Sequence, residues 1–365
     1  MSRTIIVSGI RGIPAAHGGF ETFAEYLALY LVNKGWAVTV YCQEDSGDYR
    51  ESEWNGIHLI HIPVKQGGAL GTVIFDFKCV LHSLKQSQLV LTLGYNTAIF
   101  NLLYRIKGIP NLINMDGIEW RRSKWSTPIK TWFWLNEKFG SWFGTHLIAD
   151  HPEINRHLQR NVSASKITTI AYGAESINTS DPEVLRHCGL DNIPYAIVIA
   201  RPEPENSILE IVTAFSRKER ACKLVILGRF DDDNSYHQQV ITAANDDVVF
   251  LGAIYDKPTV QALRHGARFY IHGHQVGGTN PSLVEAMGAG SAVLAHDNKY
   301  NRWVVQGGAV YFKDTNECES QIDRLLSDDE FVSELKKASQ QRFEQEFTWN
   351  AVLIQYENLL QRYAI

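Results

Sequence analysis

Residues 272–290 read His-Gly-His-Gln-Val-Gly-Gly-Thr-Asn-Pro-Ser-Leu-Val-Glu-Ala-Met-Gly-Ala-Gly. The pair Gly277-Gly278 lets the backbone come close to a ligand. Asn280 is a good helix N-cap, and Pro281 suits the first helical position. Leu283, Val284, Ala286 and Met287 would bury one helical face. Gly288 and Gly290 would end the helix, and Ser-Ala-Val-Leu-Ala then resumes as a strand. The spacing predicts a short helix with a glycine-fronted N-terminus, where amides and the helix dipole favour a phosphate group. Residues Gly277, Gly278, Thr279, Asn280, Pro281, Ser282 and Leu283 would line that end. Glu285, about one turn in, would accept hydrogen bonds from a hydroxyl-bearing ligand. A capped core helix with a surface glutamate is the plain alternative.

Around this stretch the second half alternates strands and helices. Strands are expected at 195–200, 223–227, 248–251, 267–272 and 291–296, with helices at 207–216 and 259–266. The first half has the same design. Strands are expected at 4–8, 37–42, 56–62, 89–93, 111–115 and 146–149, with helices at 20–34 and 71–85. Short apolar strands alternating with helices mean parallel sheets covered on both faces. The expected fold is α/β, two doubly wound Rossmann-like domains facing a cleft, with ligands at the carboxyl ends of the strands. The irregular, polar stretch 172–190 marks the boundary.

Composition is that of a soluble globular protein: 365 residues, 45% hydrophobic, 21% charged, net charge −5. That charge argues against a general nucleic-acid binder. Residues 1–176 carry 17 Lys+Arg against 14 Asp+Glu, whereas the remainder carries 18 against 26. The first half is therefore where an anionic surface would be favoured. The five cysteines have no paired spacing, which fits a reducing compartment and no zinc site. No apolar run approaches the ~20 residues needed to span a bilayer, so membrane contact would be peripheral. The N-terminal apolar run is short and reads as a first strand, not a signal peptide.

Four further segments carry candidate chemistry. Gly9-Ile-Arg-Gly-Ile-Pro-Ala-Ala-His-Gly-Gly-Phe-Glu-Thr follows the first strand, so Arg11, His17, Gly18 and Gly19 fall where ligands bind. Its spacing is not the dinucleotide fingerprint. Asp116, in an Asp-Gly pair at another strand end, is placed to orient or deprotonate a hydroxyl, or simply to turn the chain. Residues 120–142 hold five of the nine tryptophans, and Trp120, Trp125, Arg122 and Lys124 there suit a membrane surface or a binding groove. An aromatic core helix with a basic outer face reads equally well. Arg201 ends the 195–200 strand and would clamp a diphosphate, or pair with Glu203 or Glu205. Asp231-Asp-Asp-Asn reads better as a solvated turn than as a metal site. His272 and His274 lack a third ligand nearby, so no metal is expected, although one of them would line the site.

Taken together, these segments resemble glycosyltransferase family 4, two-domain enzymes of the GT-B fold that move a sugar from a nucleotide donor with retention. Gly18-Gly19, Arg201, Gly228 and Phe347-Thr-Trp-Asn look like family features over the full length. The first-loop string and Gly-Gly-Thr-Asn-Pro-Ser-Leu-Val-Glu-Ala-Met resemble a narrower, rhamnosyltransferase-like group of bacterial capsule and O-antigen synthesis. The resemblance implies an acceptor-binding domain over 1–175, a donor-binding domain over 176–345, and a helix over 346–365 crossing back to the first domain. It assigns Arg201 and Glu285 to catalysis, with Glu285 on the ribose, and Asp116 joins them from its place at a strand end. Two positions depart from the wider family. Gly277 stands where a glutamate would touch the transferred sugar, and Asn206 stands where a lysine would hold the diphosphate.

The implied donor is a nucleotide sugar, dTDP-rhamnose ahead of UDP- or GDP-sugars, bound without cofactor or metal. The implied acceptor is a polyprenyl-diphosphate-linked saccharide at the anionic inner face of the cytoplasmic membrane. A sugar-nucleotide epimerase of the same fold and a non-catalytic nucleotide-sugar-binding subunit remain open alternatives. A dehydrogenase is the weakest rival, because the glycine fingerprint and its acidic partner are absent.

Overall fold

A computed structural model describes residues 3–16, 18–86, 88–122, 124–179 and 181–364. The chain forms two compact units, Met1–Tyr172 with Trp349–Ile365, and Gly173–Thr348.

The first unit runs β1 (Thr4–Ser8), α1 (Gly19–Asn33), β2 (Ala37–Glu44), β3 (Arg50–Trp54), β4 (Ile57–Pro63), α2 (Gly68–Ser83) and β5 (Leu89–Leu93). It continues with α3 (Leu102–Lys107), β6 (Asn111–Asn114), α4 (Thr127–Phe143), β7 (His146–Ala149), α5 (Pro152–Leu158) and β8 (Ile167–Thr169). The sheet order is β3-β4-β2-β1-β5-β6-β7-β8, parallel except for β3. β1 sits centrally between β2 and β5. Its side chains alternate: Ile5 and Val7 join the core with α1, whereas Ile6 packs with α2 and α3. α1 forms because Phe23, Leu27 and Leu31 recur every fourth residue, and it stops where Gly35 takes φ +81°. β3 was not anticipated. Arg-Glu-Ser-Glu-Trp has no apolar face, and such a polar strand is stable only as a solvated edge.

The second unit runs α6 (Pro182–His187), β9 (Tyr195–Ile199), α7 (Ile208–Ser216), β10 (Lys223–Leu227), α8 (Ser235–Ala243), β11 (Val248–Gly252) and α9 (Lys257–Gly266). Then come β12 (Phe269–His272), α10 (Pro281–Gly288), β13 (Ala292–His296), α11 (Lys299–Val305), β14 (Ala309–Phe312), α12 (Thr315–Ser327) and α13 (Asp329–Glu346). All six strands are parallel, in the order β11-β10-β9-β12-β13-β14. That is a doubly wound sheet whose strand order reverses between β9 and β12. Gly288 ends α10 in close contact: a Cβ there would stand 2.3 Å from the carbonyl oxygen of Glu175. Gly290 follows at φ +69°, a left-handed conformation that glycine adopts freely.

The last helix, α14 (Trp349–Gln361), belongs to the first unit. It buries Val352, Leu353, Tyr356, Leu359 and Leu360 beside α1, and Tyr356 lies 4.6 Å from Phe23 between ring centroids. The Asn114 side-chain amide donates to the Tyr356 hydroxyl at 2.8 Å, so the helix is pinned by polarity as well as packing. Truncating a buried leucine such as Leu359 costs about 2–5 kcal/mol.

Candidate functional site

In the second unit, β9 and β12 are neighbours, and the chain leaves both at the topological switch point. The two exit loops are stitched together. The Ser207 hydroxyl donates to the Gly273 carbonyl at 2.8 Å, and the Gln275 amide donates to the Glu205 carbonyl at 2.9 Å. Asn206 is buried. Its side-chain amide donates to the Arg201 carbonyl at 2.8 Å, which leaves its Oδ1 to face His274 Nδ1 at 2.6 Å. The amide orientation makes Nδ1 the protonated nitrogen of that imidazole. Gly273 must be glycine, because a Cβ would come within 2.0 Å of the Asn206 carbonyl oxygen. The side-chain amides of Asn298 and Asn301 both donate to the His274 carbonyl at 3.0 Å. His272 is buried beneath with Nε2 unbonded, and burial next to His274 and His296 holds it well below the ordinary histidine pKa.

Asn280 caps α10, its Oδ1 accepting from the Ser282 amide at 3.0 Å. This corrects the expected row of bare amides. The Leu283 amide bonds to the Asn280 carbonyl at 3.1 Å, and the Leu283 side chain is fully buried. Neither Ser282 nor Leu283 offers its amide to a ligand, because the cap that starts the helix satisfies both donors. The Ser282 hydroxyl is likewise engaged, with Tyr270 at 2.8 Å and the Ile199 carbonyl at 3.2 Å. Thr279 is buried. The backbone ahead of Pro281 is thus the part of this end left to approach a ligand. Gly277 there holds φ +111°, a conformation closed to most side chains, and an added Cβ would lie 3.3 Å from His274 Nε2.

Glu285 is fixed by a residue the sequence reading missed. The Arg264 guanidinium reaches its carboxylate at 2.5 Å and the Ser282 hydroxyl at 3.2 Å. Arg264 is buried, and its Nε has no hydrogen-bond partner. Nothing in the local sequence marks it, because an arginine in the last turn of α9 reads as a solvated charge complementing the dipole. Arg201 is 66% exposed and stands 4.0 Å from Glu203, the outer limit of an ion pair. A pair so exposed contributes little, and leaves the guanidinium available to an anion.

In the first unit, the loop after β1 is tethered by α1. Glu21 accepts from the Arg11 amide at 3.2 Å, and Glu25 accepts from the Ala15 amide at 2.6 Å. Gly18 takes φ +32° ahead of α1, and Gly19 opens the helix. His17 lies outside the described residues. Asp116 follows β6 at φ +50°, its amide bonded to Asn114 Oδ1 at 3.0 Å. Burial, with neighbouring Glu119 adding to it, pushes its carboxyl up to about 6. Burial likewise pushes Asp76 up to about 6, against a 2.7 Å hydrogen bond from Thr97.

The tryptophan-rich segment divides. Trp120 donates to Glu137 at 2.7 Å, Trp125 donates to Glu119 at 3.2 Å, and Arg122 pairs with Glu119 at 3.0 Å. These three hold internal carboxylates and do not present themselves outward, a correction to their expected surface role. Lys124 is exposed over the Trp125 ring at 4.7 Å. The outward aromatics are Trp132, Trp134 and Trp142 on α4, whose buried residues are Asn136, Glu137, Gly140 and Ser141. The expected aromatic core helix is therefore inverted. Among the described residues, no group of three His, Cys, Asp or Glu side chains is arranged to hold a metal ion. No helix is long and apolar enough to cross a membrane.

Residues 190–342 match the family described as Glycosyl transferases group 1, and residues 2–175 match a domain of unknown function, DUF1972. Among curated proteins, none matches. Several solved structures align over nearly the whole chain. Sucrose-phosphate synthase from Thermosynechococcus elongatus has a TM-score of 0.82 at 17% identity, covering 99% of this chain and 98% of its own. A glycosyltransferase from Rickettsia africae has a TM-score of 0.74 at 15% identity, covering 99% and 98%. Anabaena HepE in complex with UDP-glucose has a TM-score of 0.75 at 16% identity, covering 99% and 100%. The fold is GT-B. With the family matched over residues 190–342, it indicates a glycosyltransferase.

Proposed function

We propose that this GT-B glycosyltransferase moves a hexose or deoxyhexose, rhamnose foremost, from a nucleotide-diphosphate sugar to a lipid-linked saccharide, with retention of configuration, in bacterial surface polysaccharide synthesis. The observation that carries the reading is the edge of the second unit. An exposed arginine, a left-handed glycine and a capped helix N-terminus stand at the switch point of a parallel sheet. HepE was solved with UDP and with UDP-glucose, which favours a nucleotide-sugar donor here as well.

On this reading the diphosphate lies against Gly277 and Gly278, with Arg201 on its other side. Glu285, oriented by Arg264, accepts from the hydroxyls of the nucleoside. As the glycosidic bond lengthens, the anomeric carbon becomes oxocarbenium-like and charge moves onto the phosphate. Loop amides and Arg201 stabilise that charge, and each such contact is worth roughly 10²–10³ in rate. No metal is invoked in this scheme. Asp116, titrating near 6, orients the acceptor hydroxyl at neutral pH.

The outer helices of the first unit support a membrane-bound acceptor. Ten of the fifteen large apolar side chains exposed among the described residues fall within α2, α3 and α4, including Phe77, Leu102, Ile106, Trp132 and Trp142. Residues 64–145 hold ten Lys and Arg but only four acids, Asp76, Asp116, Glu119 and Glu137. Asp76, Glu119 and Glu137 all accept side-chain hydrogen bonds from within the unit. An apolar face whose surrounding charge is positive suits an anionic lipid surface.

Thermal unfolding with a panel of nucleotides and nucleotide sugars tests the donor. Saturating dTDP-rhamnose, or another single nucleotide sugar, is expected to stabilise the fold by about 2.7 kcal/mol at a hundredfold excess over Kd. No shift with any member of the panel would remove the donor assignment.

A further inference from the structure

The first unit contains a pocket of about 230 Å³, bounded by the loop after β1 and the carboxyl ends of β2 and β4. Arg11, Pro14, Gln43, Glu44, Asp45 and His61 form most of its wall. Apart from Arg11, none of these belongs to the site residues discussed above. We infer that this pocket is a subsite for one neutral, hydroxyl-rich sugar ring. The inference rests on the glycosyltransferase reading, to which it adds the place of an acceptor sugar.

Size is the first argument. Sites for drug-sized ligands run to roughly 300–1,000 Å³, so this pocket suits a single ring and is too small for a nucleotide sugar. Charge is the second. Burial raises the Glu44 carboxyl, but hydrogen bonds from His61 and Arg50 outweigh it and hold the group below the usual glutamate range. His61 Nδ1 lies 2.6 Å and Arg50 2.7 Å from the same oxygen, and His61, itself buried, is held by Ser52 at 2.7 Å. Glu44 is therefore an ionised carboxylate fixed in direction. Asp45 stands beside it, exposed. With Arg11 and Arg50 opposing Glu44 and Asp45, the wall carries no net charge, which suits a neutral ligand, and both carboxylates accept hydrogen bonds from neighbouring hydroxyls. Arg11 and Gln43 supply donors to the same ring, and Ile13 and Pro14 give an apolar strip for its C–H face.

The pocket is also preformed. The Gln43 amide donates to the Arg11 carbonyl at 2.7 Å, while Glu21 and Glu25 hold the loop from the α1 side. Gly12, at φ +135°, lies against Cys42, where an added Cβ would come within 2.8 Å of Sγ. A wall fixed at these points loses little entropy when a ring enters.

Saturation-transfer NMR on the full chain, without nucleotide, tests this with methyl α-L-rhamnopyranoside, methyl α-D-glucopyranoside and glucose 6-phosphate. Saturation transfer to the ring protons of at least one neutral glycoside is expected, with weaker transfer to the phosphate. Asp45→Ala should weaken binding by about tenfold, as expected when a hydrogen bond to a charged group is lost, and Gln43→Ala by about fivefold, as for a neutral one. Ala16→Trp, filling the pocket from its rim, should abolish it. Circular dichroism confirms that each variant folds, and the two alanine variants keep the test alive if Ala16→Trp does not. Transfer to no neutral glycoside, transfer unchanged in folded Asp45→Ala and Gln43→Ala, or preference for the phosphate would each overturn the inference. Nucleotide stabilisation is read separately. If it persists while the sugar experiment fails, the pocket assignment falls and the donor reading stands.

Discussion

Helix α12 in the second unit buries Cys318, Ile322 and Leu325 and turns Glu319 and Asp323 outward. There they meet Arg217 at 3.0 Å, Lys218 at 2.6 Å and Arg220 at 2.8 Å. Helix α4 in the first unit does the reverse. It buries Asn136 and Glu137 and turns Trp132, Trp134, Leu135 and Trp142 outward. The inversion is possible because the inward polar groups are satisfied. Asn136 accepts from the Ile99 amide at 3.0 Å, and Glu137 takes Trp120 at 2.7 Å and His157 at 3.0 Å. An amphipathic helix therefore declares two faces, and the neighbours decide which one is the inside. In the second unit, opposite charges pair inside and outside. Around α4 in the first, over residues 64–145, the four acids are drawn inward and most bases stay outward.

The sharpest test of that contrast is the Arg264–Glu285 pair of the second unit, whose arginine is buried and whose carboxylate is half-buried. Glu285→Ala strands the buried Arg264 guanidinium, and urea unfolding should show a loss of about 3–5 kcal/mol. A loss under 1 kcal/mol would mean that the pair is solvated and does not orient Glu285.

In the first unit, the buried acids should act the other way. Asp76 titrates near 6 in the folded state, above the unfolded value of about 3.9, so its ionisation favours unfolding. Stability present below about pH 4 is lost as pH rises through 6. Asp76→Asn should remove that loss, stabilising the protein by up to about 3 kcal/mol at pH 8 and hardly at pH 4. Equal effects at both pH values would refute the inward-acid picture.

Asp116 separates function from stability among the same acids. Wild-type kcat/KM should fall as pH drops through about 6, where Asp116 takes up its proton. Asp116→Asn should be slower by on the order of 10² and lose that limb. Asp76→Asn should keep it, and if the limb follows Asp76 instead, Asp116 has no such role.

Paired changes Trp132→Glu and Trp142→Glu test the outward face of α4. Flotation with anionic vesicles should drop about tenfold, as lost apolar area and added negative charge both predict. Unfolding should change by no more than about 1 kcal/mol, since both rings are exposed and only Trp132 gives up a hydrogen bond, to the Asn96 carbonyl. The smallest effect belongs to the pairs on α12, where Lys218→Ala, removing an exposed ammonium beside Asp323, should lower stability only marginally, and less at high salt.

The sheets were largely legible. Runs such as Ile5-Ile6-Val7 and Leu224-Val225-Ile226 are apolar on both faces, and only a central parallel strand buries both. The α10 cap was legible for a local reason: Asn280-Pro281 acts within one turn. The polar edge strand β3 was not, having no apolar alternation to betray it. Nor was Arg264, whose partner lies in a different helix. The tryptophans of residues 120–142 announced a surface or a core, but not which rings faced which way.

The sequence by itself determined what depends on neighbours along the chain: the parallel α/β alternation, the glycine-fronted capped helix, and the excess of positive charge in the first half. Tertiary structure alone decided which groups meet across the chain. It joined Asn206 to His274 and Arg264 to Glu285, turned α4 inside out, and closed Gln43, Glu44 and His61 around one pocket. Caps, turns and periodicity are contacts within a few residues, so composition and spacing encode them. Pairing of buried charges and polar groups is set by desolvation, which depends on everything packed around them.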